Sequence, residues 1–133
     1  MAVKARIRFD YKAEAGPRKF FWQRHDLRQL AKDIRAKQVS LLRSLPFQGL
    51  SVEDLNMDHD VYLVSDESEN REIAYAPVEM VVEADSIIDL MPFTLREEFR
   101  KIKILEPEGL ALTNGEVERF IFRINEEYRS EIE

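Results

Sequence analysis

Asp54, Asn56, Asp58 and Asp60 alternate through the stretch "DLNMDHD". Hard oxygen ligands at every second position are the opening of a calcium-binding loop. The pattern then departs from that loop: His59 stands where its tight-turn glycine belongs, and Ser65 where its bidentate glutamate belongs. His59 between two aspartates also offers one zinc ligand, but His25, the only other histidine, belongs to a different element. The reading is a polar connection without a metal site.

A second stretch, "RKFFWQRHDLRQ" from Arg18 to Gln29, sets three aromatics between basic residues. Rings that stack on bases beside cations that take phosphates are how many proteins hold single strands. The cations for this would be Lys4, Arg6, Arg8, Arg18, Lys19 and Arg24, with Phe21 or Trp22 as the stacking ring. In a strand, Phe20 and Trp22 share one side and Phe21 takes the other. The competing reading therefore makes Phe20 and Trp22 core, with Phe21 covered by the terminal helix or a second subunit. Buried aromatics are the commoner case, and the glycine-and-aromatic pattern of a common RNA-recognition strand is missing. Nucleic-acid binding is the second reading.

No residue set points to catalysis or to a cofactor. A nucleophile would need Ser or Thr with His25 or His59, and no serine has nucleophile-elbow spacing. Four glycines form no phosphate-cradling loop. Cysteine is absent, which removes disulfides and thiolate chemistry and fits a reducing, cytoplasmic setting. No apolar run reads as a signal peptide or a membrane span. The net charge of −6 hides a split: residues 1–50 carry 12 Lys and Arg against four Asp and Glu, a charge of +8. Residues 51–133 carry 8 against 22, a charge of −14. Such asymmetry invites an anionic partner, or contact between the two segments within or between chains.

The elements that must position these groups follow from periodicity. Val3, Ala5, Ile7, Phe9 and Tyr11 alternate with Lys4, Arg6, Arg8, Asp10 and Lys12, the pattern of a strand with one buried and one wet face. Gly16 and Pro17 mark a turn, and "RKFFWQ" reads as a returning strand that makes a hairpin. A helix capped by Asp26 runs to about Ser44, with Leu27, Leu30, Ala31, Ile34, Leu41, Leu42 and Leu45 as its core stripe. Its Arg28, Lys32, Arg35 and Arg43 face is expected to be solvated. "SVEDLNMDHD" reads as a connection. "VYLV" and "REIAYAPVEMVVEA" read as strands, with a bulge or bend at Pro77 where inward parity changes from odd to even.

"DSIIDLMPFTLREEF" reads as a helix that Pro92 kinks or restarts, and "KIKIL" as a short strand. Thr113 and Glu116 form a capping box. The last helix presents Val117, Phe120, Ile121, Ile124 and Tyr128 on one face, and Phe122 falls outside that stripe as a candidate partner contact. The expectation is one α+β domain over residues 1–133, an antiparallel-rich sheet with helices on one face, in the ferredoxin-like order β-β-α-β-β-α-β-α. The expected function is a small non-enzymatic interaction or regulatory module. It would act through a protein partner or a second copy, with no membrane role.

Overall fold

A computed structural model describes residues 2–14, 23–44, 46–66, 68 and 71–132, with the side chains of residues 23–25, 131 and 132 excepted. Strand β1 (Val3–Glu14) and helix α1 (Gln23–Ser44) come first. Strands β2 (Leu50–Asn56), β3 (Tyr62–Asp66) and β4 (Arg71–Ala84) follow. A 3₁₀ turn (Ile87–Leu90) leads into α2 (Met91–Thr94), then β5 (Phe99–Glu106) and α3 (Asn114–Ile132). The five strands form one antiparallel sheet in the order β2-β4-β1-β5, and β3 also pairs with β4. The protein is α+β, but this order is not the simple ferredoxin-like pattern that the sequence suggested. The returning strand "RKFFWQ" falls mainly outside the described residues, and Gln23 at its end already belongs to α1.

Alternation in β1 carries directly into packing. Its odd residues Val3, Ala5, Ile7, Phe9 and Tyr11 are buried with Val78, Met80 and Val82 of β4, beneath Val39 and Leu42 of α1 and Leu90 and Phe93 of the next layer. Phe93 stacks on Phe9 with centroids 6.1 Å apart and leans on Phe47 at 5.0 Å. Offset and tilted ring pairs of this kind add to plain area burial. Gly49 turns the chain into β2 at φ +70°, where a Cβ would lie 2.6 Å from the Asp89 carboxylate. That carboxylate accepts hydrogen bonds from the Ser86 backbone N–H and hydroxyl, so it starts the 3₁₀ turn.

Four expectations are corrected by this arrangement. "SVEDLNMDHD" is not only a connection: its first half is β2, which pairs Leu50, Val52 and Leu55 with Ala84, Val82 and Met80 around a register shift between Val52 and Asp54. The helix expected from Asp85 shortens to the 3₁₀ turn and one turn of α2. In α1 the buried flank holds Leu27, Ala31, Arg35, Val39 and Leu42, while Leu30 and Leu41 are exposed. Lastly, there is no parity change at Pro77. Register with β1 is unbroken from Ile73 to Ala84, and small Ala74 and Ala76 take the inward places.

Pro77 fits a strand interior for a specific reason. Its cross-strand partner Asp10 donates its backbone N–H to Glu98 O at 2.8 Å, away from β4. Asp10 and Pro77 are therefore a non-hydrogen-bonded pair, and the backbone edge of Pro77 turns to the opposite side. On that side β3 pairs with residues 71–75 and β2 with residues 79–84, so Pro77 lies at the gap between them. A missing N–H is harmless there, and the carbonyl accepts from Arg35 Nη1 at 3.1 Å. Arg35 Nη1 also donates to His59 O at 2.8 Å, and Arg28 Nη1 to Val61 O at 3.3 Å. Of the face expected to be solvated, Arg28 and Arg35 thus clamp the β2–β3 connection and Arg35 is buried, while Lys32 and Arg43 are exposed as expected. Burial pushes the Arg35 pKa down from the ordinary arginine value.

Replacing Arg35 by Met leaves two carbonyls without a donor, so a loss of about 2–3 kcal/mol is expected in urea unfolding. A change below experimental error would show that solvent satisfies both carbonyls.

Candidate interaction surfaces

The even residues of β1 face away from the helices, as expected, and join three other strands in a charged sheet face. Cross-strand neighbours fix its rows. Lys103, Arg6, Val81 and Asp54 lie side by side on β5, β1, β4 and β2; so do Lys101, Arg8, Glu79 and Asn56. Arg6, Lys101 and Lys103 are exposed, and no described carboxylate pairs with them. Like charges placed directly opposite each other across a strand pair are destabilising. Here two such pairs, Arg6 with Lys103 and Arg8 with Lys101, stand next to each other.

Acidic residues crowd on the other half of the face. Lys4 Nζ reaches Glu53 Oε2 at 3.4 Å. The Glu83 carboxyl is held up because it hydrogen-bonds to that of Glu53, and the same bond together with Lys4 draws Glu53 down. Glu79 Oε1 lies 3.3 Å from His59 Nε2. The alternating acidic stretch does not converge: Asn56 Oδ1 accepts from the backbone N–H of Asp58 at 2.8 Å, an Asx turn. Among the described residues no three His, Cys, Asp or Glu side chains come together to hold a metal ion.

Asp10 departs from the wet-face expectation, being buried at 2 % exposure. Its carboxylate accepts from Arg8 Nε at 2.8 Å and from the Tyr62 hydroxyl, and Arg100 Nε lies 3.8 Å away. Tyr62 stacks on Tyr75 with centroids 5.2 Å apart, and the Arg100 guanidinium lies 5.4 Å from the Tyr75 centroid. A buried carboxylate is tolerable only when satisfied in this way. The network ties β1, β3, β4 and β5 together on the face that the helices leave uncovered. Asp10 and Arg100 also border a cleft of about 380 Å³ with Tyr11, Lys12, Tyr75 and Glu98, where β1 runs on beyond the start of β5. The Tyr11 hydroxyl is buried without a hydrogen-bond partner, and burial raises its pKa.

A second surface is α3. Its capping box forms as expected, with Glu116 N–H to Thr113 Oγ1 and Thr113 N–H to Glu116 Oε1 both at 3.1 Å. The backbone hydrogen bond from Thr113 draws the Glu116 carboxyl down. The helix packs chiefly on the 3₁₀ turn and α2. It does so by the Phe120, Arg123 and Glu127 side, which is half-buried. Of the expected apolar stripe only Phe120 is half-buried; Val117 is 40 % exposed, Ile121 60 %, Ile124 40 % and Tyr128 63 %. Phe122, at 66 %, is exposed as expected and borders a shallow groove with Ile88, Glu118 and Arg119. The stripe's Val117, Ile121, Ile124 and Tyr128 and the body-facing side are about a quarter turn apart, which leaves these four residues exposed.

Of the residues singled out for a nucleic acid, the structure brings together Lys4, Arg6 and Arg8. Arg18, Lys19, Phe21 and Trp22 lie outside the described residues, and so does the side chain of Arg24. Lys101 and Lys103 complete the basic strip and were not anticipated. Their signal was the alternation in "KIKIL", which matches the period of the basic side of β1.

Burial and the bond to Asp10 raise the Tyr62 pKa. Stability from this neutral phenol is fully present below the unfolded value of about 10 and is lost as pH rises through the folded value. An alkaline unfolding titration should show this loss, and Tyr62→Phe should remove it while costing about 1 kcal/mol at neutral pH. An identical alkaline profile in the variant would mean that the bond contributes nothing.

Among the described residues no helix is long and apolar enough to cross a membrane. Comparison of the chain with protein-family models, curated proteins and solved structures returns no match.

Proposed function

We propose that this protein is a non-enzymatic interaction module that engages a protein partner through α3. The observation that carries the reading is the uncovered stripe of Val117, Ile121, Ile124 and Tyr128. Its spacing of four, three and four residues is that of a seam between packed helices. Single exposed apolar residues need no explanation, whereas a contiguous stripe on one helix is a docking feature. A helical or groove-forming partner of apolar character fits it. Phe122 lies on a different side of α3, by the groove with Ile88, and would be a separate, lesser contact.

Ile121→Asp should weaken capture of the partner by about 30-fold or more, the effect of losing a central anchor. Phe122→Ser should have a smaller effect. Quantitative co-purification with the full chain followed by titration of the recovered partner measures both. Equal capture by Ile121→Asp and wild type would remove α3 from the contact.

The strip of Arg6, Arg8, Lys101 and Lys103 favours a second reading, binding of single-stranded RNA to the sheet. Titration with a mixed-sequence oligonucleotide should then lose affinity steeply as salt rises. Arg6→Glu with Arg8→Glu should weaken it further. Salt-insensitive or absent binding would end this reading.

A further inference from the structure

The uncovered sheet face is divided lengthwise by charge. Strands β1 and β5 present Lys4, Arg6, Arg8, Lys101 and Lys103, with Glu106 opposite Lys4 at the end of β5; strands β4 and β2 present Glu79, Glu83, Glu53 and Asp54. Each half crowds like charges, since Arg6 opposes Lys103 and Arg8 opposes Lys101, while Glu53 and Glu83 meet on the other side. Lys4 reaches Glu53 and Arg8 is held by Asp10, whereas Arg6, Lys101 and Lys103 meet no described carboxylate, and the two halves have opposite sign.

We propose that this face is the interface of a two-fold homodimer, with each copy supplying the other's counter-charges. The inference uses the sheet alone and is independent of the α3 reading. A two-fold axis in the interface, parallel to the strands, places β1 over the partner's β4 and β5 over the partner's β2. Row by row, Lys4 then faces the partner's Glu83, Arg8 faces the partner's Glu79 and Lys103 faces the partner's Asp54. Arg6 faces the partner's Val81, on which its aliphatic stem can lie. No like charges are opposed across these rows. This is the self-complementarity that an isologous contact requires, and aligned sheets about 10 Å apart leave room for the long side chains.

A polyanion fits the face less well. One laid along β1 and β5 would lie about 5 Å, a single strand spacing, from Glu79 and Glu83 on β4. That is inside the screening length of about 8 Å at physiological salt, so repulsion would act along its whole length. A second copy meets both signs at once.

The test is a charge swap on the full chain, read by sedimentation equilibrium. Wild type should sediment as a dimer that loosens as salt is raised. Lys4→Glu with Lys103→Glu should associate at least tenfold more weakly, and so should Asp54→Lys with Glu83→Lys. Mixing the two variants in equal amounts should restore the dimer, because every contact in the mixed pair is either native or doubly reversed. Circular dichroism of each variant establishes that it is folded. Should the doubly basic-to-acidic variant fail to fold, Asp54→Lys alone must still weaken the dimer.

A monomeric wild type overturns the proposal, as does a mixture that stays monomeric or a pair of variants that both stay dimeric. A monomer that binds single-stranded RNA through Arg6 and Lys103 overturns it in favour of the nucleic-acid reading. A dimer lost on Ile121→Asp but untouched by the charge swap moves the interface to α3. Loss of partner capture without loss of the dimer leaves this inference standing.

Discussion

Strand β4 is served on one side by two short strands, and the place where one gives way to the other constrains everything around it. Between the β3 and β2 pairings its backbone has no strand beside it, and buried backbone groups must be satisfied there. Pro77 removes the donor, and Arg35 reaches from α1 to take the carbonyl. The same guanidinium holds His59 O, which fixes the chain that runs from β2 to β3. One buried cation thus sets where α1 sits, where the sheet changes partner and where the connection lies. A hydrophobic residue at position 35 would pack, but it could bridge none of these backbone groups.

A comparable role on the opposite face falls to Asp10, one step across the ladder from Pro77. Arg8 and Tyr62 donate to it, and Arg100 adds charge from β5. Polar networks in a low-dielectric setting are strong when complete. This one fastens β3 and β5, which are not neighbours, to the central pair. The consequence for function is a rigid sheet face on which surface charges keep fixed relative positions. A flexible face would let Arg6 and Lys103 move apart; the network around Asp10 holds their strands in fixed register.

Legibility of the candidate surfaces differed by element. The basic side of β1 was readable, because a period of two assigns Lys4, Arg6 and Arg8 to one face whatever the neighbours are. The continuation of that strip onto Lys101 and Lys103 was not, since it depends on β5 pairing with β1 across some 90 residues of chain. In α3 the stripe was readable but its exposure was not. Amphipathic spacing says which residues share a side, and only packing decides whether that side is covered. Here Phe120, one member of the stripe, made the contact with the body beside Arg123, and Val117, Ile121, Ile124 and Tyr128 were left exposed.

Local chemistry in the sequence determined the two faces of β1 apart from Asp10, the end of α1 at Ser44 though not its start at Gln23, the capping box at Thr113 and the absence of thiol chemistry. Each depends on residues within a few positions of one another, so backbone geometry alone resolves them. Tertiary structure decided the rest: β2 as a strand, the straight register through Pro77, the burial of Asp10 and Arg35, and the division of the sheet face by charge. These depend on which distant segments meet. Small Ala74 and Ala76 became inward residues because α1 lies close over them, and a buried arginine replaced an expected solvated one because two carbonyls needed a donor. Periodicity names a face; the partner across that face is fixed only when the whole chain has folded.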